Sequence, residues 1–296
     1  MSNVEFVFDM TIRDAINAAA RDLTEAGVEN PRVTAQLLLA PLLERDRTYL
    51  LTHFEELLPT STLHQFQAWV NQRASGVPLQ YLTGHQEFYG LDFLVTPDVL
   101  IPRPETERIV EEVLARNQEP SPLIIDVGTG SGCLAVTLAV WLNPSRVIAL
   151  DISEPALRVA RLNAQRQGVE DRVLFLVSDL FSALAESESG TQADFIVSNP
   201  PYVADADLDR LPREVSQHEP HVALLAGPDG LVCYRRLLME SRTCLRPGGY
   251  LILEMGYGQH AALINLVDPS TWCVEKVVPD LQGIQRTLVL RLVGKD

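Results

Sequence analysis

The sequence predicts an α/β protein: a mostly parallel seven-stranded sheet covered by helices, preceded by a small α-helical domain. Three observations lead there. From residue 105 onward, apolar β-type runs alternate with helical stretches. Those runs are nearly continuous in apolar residues, which marks strands buried on both faces. The first 75 or so residues carry helix signals only.

In the helical part, Thr11 caps a helix running through Ala15, Ile16, Ala19 and Leu23, with Gly27 after its end. Asn30-Pro31 opens a second helix, where the missing proline N–H costs nothing, and Leu37, Leu38, Leu42 and Leu43 are its expected apolar stripe. A third helix runs from Ser61 through Leu63, Phe66, Trp69 and Val70 to Gly76, and Pro78 stops it. Residues 77–100 change character. Phe88-Tyr89-Gly90-Leu91 and Phe93-Leu94-Val95 flank a turn and read as a β-hairpin. The division expected is therefore 1–76 helical, 77–100 a hairpin linker and 101–296 the α/β domain.

Strands are expected at Leu123–Val127, Val147–Asp151, Val173–Val177, Asp194–Ser198, Tyr250–Met255, Cys273–Val278 and Thr287–Leu292. No helix fits between the last two, and Asp280-Leu281-Gln282-Gly283 turns between them, which predicts an antiparallel strand at the end of the sheet.

Composition narrows the partners. A formal charge of −15 lowers the expectation of a large nucleic-acid footprint, because neutralising phosphates needs a basic face. No apolar run reaches the roughly 18 residues that span a bilayer, and Met1 to Met10 show no secretory pattern, so a cytoplasmic protein without a membrane role is expected. The four cysteines are scattered without a C-x-x-C pair and the six histidines lack metal-ligand spacing, so no metal is expected.

Asp126-Val127-Gly128-Thr129-Gly130-Ser131-Gly132 follows the first α/β strand and opens a helix. Glycines there tighten the turn and let a ligand approach the backbone closely. A dinucleotide loop would carry its third glycine where Cys133 stands. The G-x-G-x-G spacing instead resembles the first motif of Rossmann-like class I methyltransferases, which holds S-adenosylmethionine. Asp151 ends the second strand, where an acid accepts from both ribose hydroxyls. Asp179 and Leu180 end the third, where the adenine is recognised in such enzymes. Glycine turns and acids at three consecutive strand ends fit a ligand outside the carboxyl edge of a doubly wound sheet.

The fourth strand ends in Ser198-Asn199-Pro200-Pro201-Tyr202. Two prolines stiffen this loop and remove two donors, leaving acceptors in fixed directions. The Asn199 side-chain oxygen and the Pro200 carbonyl can each take one hydrogen of a substrate –NH2, and Tyr202 can pack on a planar group beside a sulfonium. Asn199 thus counts toward both the substrate and the cofactor. The pattern fits methyl transfer to a planar nitrogen, whether a carboxamide or the amino group of adenine or guanine. Glu254, at the end of the fifth strand, reads as a substrate contact or a solvent-facing acid and stays outside the expected site. His218 and His221 read as loop residues.

Leu79 to Gly90, Asp98 to Glu107, His218-Glu219-Pro220 and Gly227-Pro228-Asp229-Gly230-Leu231 closely resemble the release factor glutamine methyltransferases, the HemK-type family, and the resemblance covers essentially the whole chain. It implies a helical domain that docks a peptide chain release factor, acting in translation termination, and methylation of the glutamine in its Gly-Gly-Gln loop. Asp126 to Gly130 and Asp151 match the family's cofactor site; Asn199 to Tyr202 match its glutamine pocket. Leu180 falls where many relatives place an aromatic residue. Arg103, Glu105 and Thr106 match an inter-domain motif; unaided, Arg103–Glu107 reads as a charged helix start. Two rivals remain: a nucleic-acid amino methyltransferase using the same loop, which would carry a basic stripe or an added domain, and a non-catalytic cofactor binder, which would have lost one of the two loops.

Overall fold

A computed structural model describes residues 10–184 and 192–294. The chain divides into two compact units. The first runs to Gly84 and includes Pro212–His218; the second takes His85–Leu211 and Glu219 onward.

The first unit contains α1 (Ile12–Glu25), α2 (Pro31–Leu42), α3 (Arg47–Thr52), α4 (Thr60–Ala74) and α5 (Leu79–Thr83). Thr11 caps α1 by accepting from the Asp14 N–H at 3.1 Å. Ile12, Ala15, Ile16, Ala19 and Leu23 form its buried stripe and pack with Leu38, Leu39, Phe66 and Val70. The apolar face of α2 differs from the expectation. Ala35, Leu38 and Leu39 are buried, whereas Leu37 is exposed and Leu42 and Leu43 are half-buried. Leucine is so dense along this helix that the sequence does not choose a face; packing against α1 and α4 does. Both α3, capped by Asp46, and α5 went unread because each is too short to show a period.

In chain order the rest comprises β1 (His85–Phe88), β2 (Leu91–Leu94), α6 (Glu107–Arg116), β3 (Leu123–Val127), α7 (Cys133–Trp141), β4 (Arg146–Asp151), α8 (Glu154–Arg166), β5 (Val173–Val177), β6 (Ala193–Ser198), α9 (Arg213–His218, in the first unit), α10 (Val232–Glu240), β7 (Leu245–Glu254), α11 (His260–Leu266), β8 (Trp272–Pro279) and β9 (Gln285–Leu292). The hairpin turns at Tyr89-Gly90, both at positive φ, and not further along as the sequence suggested. This two-residue turn leaves Phe88 and Phe93 on one side, and both are buried in the core of the sheet unit. The Tyr89 N–H, displaced from ordinary strand pairing, donates to Glu107 Oε1 at 2.9 Å.

The seven-stranded sheet has the order β5-β4-β3-β6-β7-β9-β8. Pairs from β5 through β7 are parallel, and β9 runs antiparallel to both its neighbours. The antiparallel strand is thus the last in sequence but not the edge: β9 inserts between β7 and β8. Period-two alternation divides the strands between two cores. Ile124, Phe195, Val197, Ile252 and Val289 face α6 and α7. Ile125, Ile196, Leu251, Leu253, Leu288 and Leu290 face Tyr234, Leu237 and Leu238 of α10 and Leu263 of α11. Among the described residues no helix is long and apolar enough to cross a membrane.

One buried side chain ties the hairpin to the sheet. Asn163 of α8 accepts from the Leu94 N–H at 2.7 Å and donates to the carbonyls of Leu94 at 3.0 Å and Ser131 at 2.8 Å. Asn163→Leu keeps the volume but leaves these backbone groups without partners. The expected cost is about 2–4 kcal/mol, read as a lower denaturant midpoint with an unchanged slope.

Candidate active site

The strand order reverses at β3, where β4 and β5 lie to one side and β6 and β7 to the other. Ligands bind outside the carboxyl edge at such a switch. Here the loops after β3, β4, β5 and β6 border a cleft of about 1020 Å³, its open mouth included.

After β3, the backbone of Gly128, Gly130 and Gly132 lies at φ +72°, +56° and +81°. At Gly128 and Gly130 a Cβ would meet nothing within 4 Å, so the left-handed backbone and the open approach account for these glycines. At Gly132 a Cβ would stand 3.0 Å from that of Ala160, so the third glycine lets α7 pack close to α8. The loop is strapped to β4. The N–H groups of Gly128 and Thr129 donate to the Leu150 carbonyl at 2.8 and 3.0 Å, and the Gly130 N–H donates to Asp151 Oδ2 at 2.8 Å.

Val127, Gly128 and Gly130 line the cleft; Asp126 and Thr129 do not. Those two expected binding residues are buried beneath the loop, where Asp126 Oδ2 accepts from Thr129 Oγ1 at 2.6 Å and from the Ala135 N–H at 3.1 Å. They hold its shape. Burial raises the Asp126 carboxyl to about 7, against the pull of these two hydrogen bonds, and the nearby charge of Asp151 adds to the rise.

Asp151 lines the cleft at the end of β4. Burial raises its carboxyl too, while N–H groups of Ser153 and Gly130 lower it. One bond to each oxygen leaves each a further lone pair, enough for a pair of adjacent hydroxyls. Asp179 and Leu180 also reach the cleft, but Asp179 Oδ1 already accepts from Arg236 Nη1 of α10 at 2.7 Å. The sequence missed Arg236, which borders the same cleft. It also missed Ile152, 56% exposed, which with Leu180 offers apolar surface for a planar ring. A paired acceptor, apolar walls and an open glycine edge fit a nucleoside with an amino-acid arm, as in S-adenosylmethionine.

Two further segments complete the wall: Asp98 to Leu100, and Pro220 with Val222 and Ala223. Arg103 follows the first and Glu219 precedes the second, and they pair at 2.5 Å with Glu219 almost wholly buried. This is one task of the Arg103 motif. Its bonding partner lies within the sheet unit.

After β6, the Ser198 hydroxyl donates to the Val127 carbonyl at 2.6 Å, locking the start of the proline loop to the glycine loop. Asn199 and Pro201 line the cleft, whereas Pro200 and Tyr202, both expected at the site, do not. Pro200 is buried, and Tyr202 is held by its carbonyl, which accepts from Gln259 Nε2 at 2.8 Å. The Tyr202 hydroxyl lies 3.5 Å from Glu254 Oε1, and burial beside that acid raises the phenol pKa.

Behind Asn199 lies a pair the sequence left out. Asn199 Nδ2 donates to Thr106 Oγ1 at 3.1 Å, and Thr106 donates to Glu254 Oε2 at 2.5 Å. Glu254 is 2% exposed, so the solvent-facing alternative is wrong. Burial raises its carboxyl to about 7, although the bond from Thr106 opposes this; Glu105 raises it further, and Arg286 and Arg103 lower it. Among the described residues no His, Cys, Asp or Glu cluster could hold a metal.

A carboxyl whose folded-state pKa is raised binds its proton more tightly when folded. Its contribution to stability is full below the unfolded pKa and is lost as pH rises through about 7. Asp126→Asn mimics the protonated form at every pH. The thermal midpoint of wild type should therefore fall relative to that of Asp126→Asn between about pH 5 and pH 8. A constant gap would mean that Asp126 is ionised throughout.

Two family models match the chain: the PrmC N-terminal domain over residues 14–84 and ribosomal protein L11 methyltransferase (PrmA) over residues 105–216. The release factor glutamine methyltransferase of Moorella thermoacetica is 46% identical over 279 residues, covering 94% of this chain and 97% of that protein. That of Koribacter versatilis is 44% identical over 288 residues, covering 95% and 99%. Among solved structures, the hMettl16 catalytic domain in complex with MAT2A 3′UTR hairpin 6 has a TM-score of 0.54 over 77% of this chain and 82% of its own, at 20% identity. That likeness is one of fold. With identities above 40% along nearly the full length of both relatives, the chain belongs to the release factor glutamine methyltransferase family.

Proposed function

We propose that this protein transfers the methyl group of S-adenosylmethionine to the side-chain amide nitrogen of the glutamine in the Gly-Gly-Gln motif of peptide chain release factors, giving N(5)-methylglutamine. The observation that carries this reading is the placement of Asn199. Its nitrogen is bonded to Thr106, and its side chain borders the same cleft as Gly128, Gly130 and Asp151. With its nitrogen so engaged, the Asn199 oxygen is the end this reading assigns to the substrate.

Bound in the cleft, S-adenosylmethionine supplies a methyl group on a cationic sulfur, ready for displacement. Val127, Gly128, Gly130 and Asp151 would hold it, Leu180 and Ile152 would offer apolar surface to its purine, and Asp126 and Thr129 keep the loop in shape. A carboxamide nitrogen is a poor nucleophile because its lone pair is delocalised. Asn199 Oδ1 would accept one of its hydrogens, which fixes the nitrogen in line and favours pyramidalisation. The N–C bond forms as the S–C bond breaks, and the nitrogen then loses a proton to solvent. Pro201 stiffens the loop, and Tyr202 packs behind it. The helical unit, formed largely by residues before Gly84, docks the folded release factor. The reaction belongs in the cytoplasm, with no direct nucleic-acid contact.

The rival substrate is a nucleobase amino group, which the same acceptor would hold. The net charge of −15 weighs against it, since a nucleic acid brings a phosphate with every nucleotide. Incubation with methyl-labelled cofactor and either purified release factor or RNA and DNA separates them. Label is expected on the glutamine of the release factor, and label on nucleic acid alone would refute the reading. Asn199→Ala should lower kcat by roughly 10²–10³-fold and leave the cofactor Kd nearly unchanged. Asp151→Asn should do the reverse, weakening cofactor binding by about tenfold. Equal activity of Asn199→Ala and wild type would remove the proposed pocket.

A further inference from the structure

We propose that Thr106 and Glu254 form a buried relay that orients the Asn199 side-chain amide, oxygen toward the cleft and nitrogen away from it. This rests on the reading of Asn199 as the acceptor for the substrate –NH2.

The two ends of a carboxamide have nearly the same shape and opposite polarity, so packing alone does not choose between them. Only the oxygen end is useful here, because a substrate –NH2 facing another –NH2 finds no acceptor. The hydroxyl of Thr106 carries a single proton, and whichever neighbour receives it decides what Thr106 offers the other. An ionised carboxylate only accepts. Glu254 Oε2, 2.5 Å away, therefore takes the proton, and the Thr106 oxygen turns a lone pair to Asn199 Nδ2 at 3.1 Å. Asn199 Oδ1 is then the end left for substrate.

Bulk solvent barely reaches Thr106 or Glu254. Thr106 is 1% exposed and Glu254 2%. The backbone on either side of Asn199 is pinned independently, by the Ser198 hydroxyl on Val127 and by Gln259 on the Tyr202 carbonyl, so the relay acts on the side chain and does not build the loop. Thr106 and Glu254 are positioning residues: neither lines the cleft.

Protonating Glu254 reverses the sequence of donors. The carboxylic acid donates to Thr106, the Thr106 proton turns toward Asn199, and the amide is driven to present its nitrogen to the cleft. The groups around Glu254 are Thr106, the hydroxyl of Tyr202, Glu105, Arg103 and Arg286; the Cys133 thiol senses its charge, and the Tyr234 hydroxyl donates to its backbone carbonyl. Burial outweighs the two arginines and places this titration near 7. Activity should therefore be full above that value and fall below it.

The experiment compares kcat–pH profiles between about pH 5.5 and 9, at saturating cofactor and release factor, for wild type, Thr106→Val, Thr106→Ser and Glu254→Gln. Wild type should show an acid limb near 7. Thr106→Val should lose roughly tenfold or more in kcat at alkaline pH, keep its cofactor Kd and lose the acid limb, since protonation of Glu254 no longer reaches Asn199. Thr106→Ser should restore both rate and limb, and Glu254→Gln, which removes the titrating group, should show no limb. In parallel, the ¹⁵N-labelled side-chain amide of Asn199, followed by NMR without substrate, should shift through the same midpoint in wild type and not in Thr106→Val. Full kcat with an intact acid limb in Thr106→Val, or an Asn199 amide indifferent to pH in wild type, would overturn the relay. If wild type does not label release factor at all, the acceptor assignment is what has failed, and the amide titration still tests the relay.

Discussion

The cleft depends on β3, β4 and β6 ending together. Val127 lies opposite Leu150, and Asp126 opposite Val197. The Leu150 carbonyl can therefore take the first two N–H groups of the glycine loop, and the Val127 carbonyl can take the Ser198 hydroxyl. A slip of one residue in any of these strands would reverse every side chain on it. Ile125 and Ile196 would exchange cores with Ile124 and Phe195, and Asp126 would leave its pocket. The apolar burial on both faces that makes the sheet stable is thus also what brings Gly128, Asp151 and Asn199 to the rim of one cleft.

Two acids sit fully buried just below that rim, Asp126 under the glycine loop and Glu254 under the proline loop, and burial raises both to about 7. Neither suits a protein optimised for stability alone, since a buried carboxylate costs more than a neutral residue of the same shape. Each nevertheless accepts from a threonine hydroxyl next to a loop: Thr129 for Asp126, Thr106 for Glu254. A charged acceptor fixes the direction of a hydroxyl proton more firmly than a neutral one does. Stability is given up at the two places where the polarity of a loop matters. Departures from local stability of this kind are expected at functional sites.

Much of this was legible in the residues, and the parts that were not share a reason. The strands were readable because each is a short apolar run closed by a glycine, an acid or an asparagine, and the cofactor loop and Asn199 stood at those ends. The face of α2 was not, because leucines occupy most of its length. The insertion of β9 between β7 and β8 was not, because a hairpin in sequence says nothing about which arm pairs with the older strands. At the site, Asp151 and Asn199 line the cleft, yet Asp126, Thr129, Pro200 and Tyr202 lie behind it. A motif marks a loop and does not say which of its side chains face outward. Thr106 and Glu254 meet across 148 residues, and Arg103 and Glu219 across 116. No spacing rule reaches that far.

The acceptor proposed at Asn199 would read a planar –NH2 and little else, so it could not by itself tell a glutamine from a nucleobase. The shared fold does not decide either, as its likeness to an RNA-bound catalytic domain makes plain. Discrimination must come from what delivers the nitrogen to the cleft. A nucleic acid arrives with a phosphate on every residue and needs cations along its path, whereas this chain carries 39 acidic against 24 basic side chains. Many arginines of the sheet unit are already paired with acids, among them Arg103 with Glu219, Arg236 with Asp179 and Arg246 with Asp194. A protein loop demands no such path, and a cationic cofactor is favoured by the same excess of acid. Charge, not the chemistry of the pocket, is what tilts this methyltransferase toward a polypeptide.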